Sequence, residues 1–133
     1  MILSFSTKFK NGRPTGFVEK ILSGKKIHSI RIDPHGRWKE GRVIHYATGA
    51  RTKFYYNFAM GLAASVFTIR IYPENRGIRL FDSRLDGVGM TEPQIATFIR
   101  NDGFDDPEDF WQWFNKPFKG RVIRWEPSSV VKR

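Results

Sequence analysis

Residues 21–31 read Ile-Leu-Ser-Gly-Lys-Lys-Ile-His-Ser-Ile-Arg, and this stretch decides the fold because a helix ends and a strand begins within it. The residues before it are apolar at helical spacing. Gly24 ends the helix, since glycine leaves a helix through a left-handed turn at little cost. In the strand that follows, alternate residues share a face, which places Ser29 beside Arg31. The sequence therefore predicts a hydroxyl and a guanidinium side by side, directly after a turn with two lysines.

The turn itself holds Lys25 and Lys26, whose ammonium groups are expected to point at one spot. Two interpretations stay open. Either both lysines stay charged and hold phosphate groups, or Lys26 is the base that takes the proton of a Ser29 nucleophile. The second interpretation requires the pKa of Lys26 to fall by about 3 units from about 10.4, which corresponds to about 4 kcal/mol.

Outward from this stretch, short strands and helices follow one another along the chain. Strands are predicted near residues 1–6, 27–32, 43–47, 64–72, 78–81 and 121–125, and three helices are predicted to end at Gly24, to begin at Thr91 and to begin at Asp106. About six mostly antiparallel strands with helices between them predict an α+β fold with a curled sheet or a small β-barrel.

The chain has 133 residues, and we expect a single domain over residues 1–126 followed by a loose tail over 127–133. It has no cysteine, which excludes thiolate zinc sites and cysteine nucleophiles. His28, His35 and His45 lack the spacing of known zinc motifs, so no metal and no cofactor is predicted. No run approaches the roughly 18 apolar residues of a membrane span, and we expect a soluble, cytoplasmic protein without a membrane partner.

The charge of the chain is strongly asymmetric. The net charge is +10 and the isoelectric point is about 10.2. Residues 1–81 hold 15 Lys and Arg against 4 Asp and Glu, whereas residues 82–133 hold 8 against 9. A surplus of this kind is typical of proteins that bind a polyanion, with nucleic acid as the first expectation and an anionic membrane surface as the second.

Several further residues are candidates for contact with such a ligand. Arg31, Arg51 and Lys53 are expected to bind phosphates together with the two lysines of the turn. Trp38 stands in a polar run and is expected to be exposed, so that it could stack on an unpaired base for about 1–3 kcal/mol.

Two motifs of the chain resemble those of the ASCH family, a branch of the PUA-like fold. The first is the stretch 21–31, which is similar to the family's Gly-x-Lys-Thr-x-Thr-x-Arg arrangement. The second is Asn-Asp-Gly-Phe at 101–104, followed by Pro-Glu-Asp-Phe at 107–110, Trp113-Phe114 and a closing strand. The resemblance implies a compact PUA-like β-barrel with flanking helices and a cationic cleft for RNA or modified nucleotides.

Some members of the family are acetylcytidine amidohydrolases that use a lysine, a threonine and a glutamate. By resemblance, the lysine corresponds to Lys26 and the threonine to Ser29, while Ile27 stands in place of an earlier threonine. The family glutamate has no matching position, although Asp82, Asp86 and Glu92 lie in its neighbourhood.

The leading hypothesis is therefore a module that binds RNA or a modified nucleotide in a cationic cleft. A small amidohydrolase that deacetylates a modified nucleoside such as acetylcytidine is the alternative. A third hypothesis is a protein-interaction domain, because residues 82–115 hold 8 acidic and 2 basic residues. The sequence leaves the oligomeric state open.

Overall fold

The computed structural model describes residues 1–82 and 87–133, in which eight strands and three α-helices form. In chain order these elements are β1 (Ile2–Ser4), α1 (Phe17–Ser23), β2 (His28–Arg31), β3 (Val43–Thr48), β4 (Tyr56–Tyr72), β5 (Gly77–Phe81), β6 (Val88–Gly89), α2 (Glu92–Asn101), α3 (Pro107–Trp113), β7 (Phe118–Trp125) and β8 (Val131–Lys132). The α+β class predicted from the sequence is confirmed.

Strand β4 is the spine of the sheet. It is 17 residues long and pairs with β3, β5, β7 and β8, always antiparallel. The sequence predicted only its second half, because small residues interrupt the alternation in its first half. One of them is Gly61, where an added Cβ would lie 2.9 Å from the Tyr46 hydroxyl oxygen, so the missing side chain makes room for Tyr46.

The sheet is mostly antiparallel and open. Among the strands that the structure describes, only β1 and β3 pair in parallel, and β7 joins β2 to the second half of β4. Among the described strands, β1 and β6 stand at the two ends of the order β1-β3-β4-β5-β6 and do not pair. The small closed barrel is therefore not seen in residues 1–82 and 87–133.

The helices contribute aromatic side chains to the hydrophobic core. Phe98 and Ile99 of α2 and Phe110 and Trp111 of α3 are buried together with the strand residues. α2 begins after Thr91, as its sequence predicts, and in the structure Thr91 and Gln94 form a capping box. These contacts fix the connection between α2 and α3 against the rest of the core.

The last residues do not form a loose tail, so that prediction was wrong. Pro127–Ser129 forms a single 3-10 turn, and β8 pairs with the first half of β4. The backbone N–H of Arg133 donates to the carbonyl oxygen of Phe58 at 2.9 Å. Within residues 1–82 and 87–133, no helix has the length and apolarity needed to cross a membrane.

Candidate functional site

A cavity of about 180 Å³ opens where α1 ends and β2 begins, beside the connection between α2 and α3. Its polar lining includes Lys26, Ser29, Arg31 and Asp102. Three of these four residues were candidates from the sequence. The structure therefore brings together a lysine, a hydroxyl, a guanidinium and a carboxylate in one concave site.

The turn after α1 sends its two lysines in different directions. Gly24 adopts the left-handed conformation with φ of 82°, and the N–H groups of Lys25 and Lys26 both donate to the carbonyl of Lys20. Lys25 remains exposed, whereas Lys26 is 2% exposed and its Nζ lies 4.7 Å from the centre of the Phe17 ring. The ammonium groups do not meet at one spot as the sequence suggested.

The Lys26 ammonium is held by protein acceptors. Its Nζ donates to the carbonyl of His28 at 2.9 Å and to the carbonyl of Asp102, and it lies 3.5 Å from Asp102 Oδ1. Burial lowers the pKa of Lys26 to about 8, and the nearby Arg31 charge acts in the same direction. The Asp102 carboxylate opposes both effects.

Asp102 is the acid of the site, and the sequence did not identify it as such. It follows α2 as the C-cap residue, is 2% exposed, and lies 3.0 Å from Nδ1 of His28. The His28 ring in turn stacks on Phe98 at 4.4 Å. The signal was present in the Asn-Asp-Gly-Phe motif, where an acid stands at the end of a helix immediately before a glycine.

The other acids expected near the site do not supply this carboxylate. Asp82 and Glu92 are described, and neither lines the cavity. Asp86 lies outside the described residues.

Arg31 and Ser29 are neighbours, as the alternation of the strand predicts. Nε of Arg31 donates to Oγ of Ser29 at 3.0 Å, and the guanidinium lies 4.8 Å from the centre of the Phe5 ring. Burial lowers the pKa of Arg31 to about 10, so the group stays charged at neutral pH. In residues 1–82 and 87–133 no acceptor contacts its terminal nitrogens, which leaves them available to a ligand in the cavity.

Charge and shape together define what the cavity can accept. Lys26 and Arg31 bring two positive charges against the single carboxylate of Asp102, so the site favours an anionic or electron-rich guest. Aromatic rings form much of the remaining wall; they belong to Phe5, Phe17, Phe104, Trp113 and Phe114. The sequence did not identify these rings as site residues, because their position around the cavity depends on the fold.

Arg51 and Lys53 lie in the hairpin between β3 and β4, and both are exposed. The hairpin reaches the site through Ala50, whose N–H donates to Oγ of Ser4 at 3.3 Å. Ser4 also lines the cavity. The two cations therefore lie on a hairpin that contacts Ser4, and neither lines the cavity.

The prediction that Trp38 is exposed was wrong. Its ring is 5% exposed and belongs to the core, so it offers no free face to a base. The backbone N–H groups of Arg37 and Trp38 donate to the Asp33 carboxylate, which ties the turn down. Polar neighbours in the sequence do not keep a side chain exposed when the turn directs it inward.

The part of the chain that the structure describes contains no cluster of side chains that could hold a metal ion. No three His, Asp or Glu side chains come close enough there to hold an ion. Comparison of the chain with protein-family models, with curated proteins and with solved structures yields no match.

Proposed function

We propose that this protein binds an unpaired nucleotide, in RNA or as a modified nucleotide, with the base in the cavity at β2. The observation that carries the proposal is the guanidinium of Arg31, which is half-buried and charged, lines an aromatic-walled cavity, and has terminal nitrogens that no described acceptor contacts. A guanidinium of this kind suits a base edge or a phosphate because its donors form a planar fork.

Among the rings that line the cavity, Trp113 is 42% exposed and offers a face to a base, whereas the four phenylalanine rings are buried and close the wall behind it. Proteins that recognise single-stranded RNA hold splayed bases against aromatic side chains and bond their edges. A cavity of about 180 Å³ is small beside the roughly 300–1,000 Å³ of sites for drug-sized ligands. It therefore suits one ring system, with the sugar and phosphate left outside.

The exposed cations around the cavity supply the phosphate contacts. Lys25 lies on the turn beside the site, and Arg51 and Lys53 lie on the hairpin that flanks it. If each of these three cations neutralises one phosphate on a single strand, log K against log salt should have a slope near −2 from them.

The test is the affinity of Arg31→Gln for a short single-stranded RNA, measured by fluorescence anisotropy. Loss of a charge-assisted hydrogen bond costs about 2 kcal/mol, which is roughly a thirtyfold weaker affinity. Arg37→Gln is the matched control, because Arg37 is exposed on a loop and does not line the cavity. Equal affinities of the two variants, or absence of RNA binding at low salt, would contradict the proposal.

The proposal includes the resemblance to the ASCH family and its PUA-like barrel. Supporting it, the two segments that carry the resemblance meet in space, since Lys26 of the first contacts Asp102 of the second across 76 positions of sequence.

A second candidate is an amidohydrolase acting on a modified nucleoside such as acetylcytidine. It is favoured by the carboxylate of Asp102 beside a lysine whose pKa is lowered to about 8. In this reaction Oγ of Ser29 attacks the acetyl carbonyl, its proton passes to neutral Lys26, and the amine leaves with a proton. Water then releases acetate from the serine ester.

The hydrogen bonds of Lys26 favour the binding hypothesis over the amidohydrolase hypothesis. Its Nζ contacts acceptors on His28 and Asp102, and none of its described contacts is with Ser29. Incubation of the protein with acetylcytidine and analysis of the products tests the reaction. Turnover that disappears in Ser29→Ala would establish it, and absence of acetate at high protein concentration would exclude it.

The acidic helices offer less to a protein partner than their composition suggests. Glu108 of α3 pairs with Arg76, and Asp109 pairs with Arg13. Part of the acidic surplus is therefore neutralised inside the molecule.

A further inference from the structure

Three exposed cations stand in one row across the second half of the sheet. Arg70 of β4 lies directly opposite Arg79 of β5 on one side and directly opposite Lys119 of β7 on the other. All three are exposed, and none forms an ion pair with a residue that the structure describes. We refer to Arg79, Arg70 and Lys119 as the basic row.

The basic row is unfavourable for the isolated protein. Like charges directly opposite each other on neighbouring strands destabilise a sheet, and strands are about 4.8 Å apart. Among the contacts in residues 1–82 and 87–133, the Arg70 guanidinium lies 5.8 Å from the centre of the Phe81 ring and Arg79 donates to the carbonyl of Gly87; neither of these two contacts brings a negative charge to the row. A negative group placed over the row would remove the penalty.

The length of the row points to a linear polyanion. Three strands at about 4.8 Å spacing place the outer cations about 10 Å apart. A single phosphate does not span that distance with full contact, whereas successive phosphates of a nucleic acid strand do.

Strand pairing connects the basic row to the residue that lines the cavity. Arg121 lies two positions beyond Lys119 on β7, and therefore on the same face of the strand. On the neighbouring strand β2, the residue directly opposite Arg121 is Arg31. Arg31 is the residue that reaches into the cavity. A chain whose base occupies the cavity thus has a cationic path across β7 and β4 for its neighbouring phosphates.

We propose that the basic row binds the phosphate backbone of the same nucleic acid strand whose unpaired base occupies the cavity, so that the ligand is a polynucleotide and not a free nucleoside. This inference rests on the proposed function. It adds a second contact region that shares no residue with the cavity lining.

The experiment compares two probes, a short single-stranded RNA and a nucleoside monophosphate, on the variant Arg70→Gln/Lys119→Gln. Two lost phosphate contacts should reduce the slope of log K against log salt by about 1.4 for the RNA. Affinity for the monophosphate should stay unchanged, because the cavity is intact. Lys39→Gln/Lys132→Gln is the matched control, since it removes the same net charge from exposed lysines elsewhere and should leave the slope unchanged.

The outcomes separate this inference from the proposed function. An unchanged RNA slope with intact monophosphate binding overturns the basic row alone. A reduced slope in the double variant, with no effect of Arg31→Gln on either probe, supports the row and overturns the cavity. Binding of anionic lipid vesicles that the double variant loses, without any RNA binding, overturns the row as a nucleic acid site.

The variant Arg70→Gln/Lys119→Gln is expected to fold, because it removes like-charge repulsion and both substituted residues are exposed. Its melting temperature at low salt should equal or exceed that of the wild type. A lower melting temperature would contradict the premise that the row is a penalty in the free protein.

Discussion

Lys26 is the residue on which the site depends, because an ammonium is held almost without solvent between aromatic rings and a carboxylate. The sequence identified Lys26, Ser29 and Arg31, since all three follow from one turn and one alternating strand. It did not connect them to Asp102, because 76 positions separate that residue from Lys26 and only the packed fold joins them. Local pattern therefore predicts the cationic half of the site, and tertiary structure supplies the acid.

The lowered pKa of Lys26 makes stability rise with pH in a defined window. In the folded protein its pKa is about 8, against 10.5 for the free side chain. Between pH 8 and 10 the unfolded chain keeps a proton that the folded chain has released, so the free energy of unfolding increases. Integrated over this window, the contribution is about 2 kcal/mol. Urea unfolding at a series of pH values measures it.

The matched variants for this prediction are Lys26→Met and Lys25→Met. Lys26→Met should lose the rise, while Lys25→Met, at the exposed neighbouring position, should keep it. Should Lys26→Met fail to fold because it leaves the Asp102 charge alone, Lys26→Met/Asp102→Asn removes both charges and serves in its place. A wild-type protein whose stability stays flat from pH 8 to 10 would contradict the burial of a charged Lys26.

Burial raises the pKa of Tyr46, so its ionisation opposes the trend only above pH 10.

At the scale of elements, the helix ends could be predicted and the long strand could not. Gly24, Thr91 and Asp106 mark helix boundaries through local chemistry, and the structure has them at those boundaries. β4 exceeds its prediction because its first half is held by pairing with β3 and β8, which no local pattern encodes. Burial of Trp38 was also missed, because the direction of its ring depends on a turn fixed by the Asp33 carboxylate and not on its neighbours in the sequence.

The connection between α2 and α3 positions the acid of the site, and Gly103 is its critical residue. Gly103 has φ of 94°, and an added Cβ would lie 2.9 Å from Cδ of Lys26 and 3.1 Å from the Phe17 ring. Gly103→Ala should lose about 1–2 kcal/mol from backbone strain and about 1–3 kcal/mol more from overpacking. Urea unfolding measures the total, and RNA affinity should fall with it.

Gly12→Ala separates the two contributions. Gly12 also has a positive φ, of 86°, but an added Cβ there has no described atom within 4 Å. This variant should show only the backbone strain. Equal losses for Gly12→Ala and Gly103→Ala would mean that the side chain of Lys26 does not occupy the space beside Gly103.

At the scale of the whole molecule, ligand binding should stabilise the fold. A ligand that binds only the native state adds about 2.7 kcal/mol to the free energy of unfolding when its concentration is 100 times Kd. We expect this gain with single-stranded RNA and a smaller one with a duplex of the same sequence, whose paired bases do not enter the cavity. Urea unfolding is the suitable measurement because urea leaves the ionic strength unchanged. An equal gain with both would show that only phosphates are recognised.

Strand β4 links every part of the sheet, since β3 and β8 pair with its first half and β5 and β7 with its second. Neither half can open without breaking a shared backbone, so local fluctuations that expose the interior should be rare compared with global unfolding. Amide hydrogens in the middle of β4 should consequently exchange with deuterium only through complete unfolding, and both ends of the molecule should lose protection together.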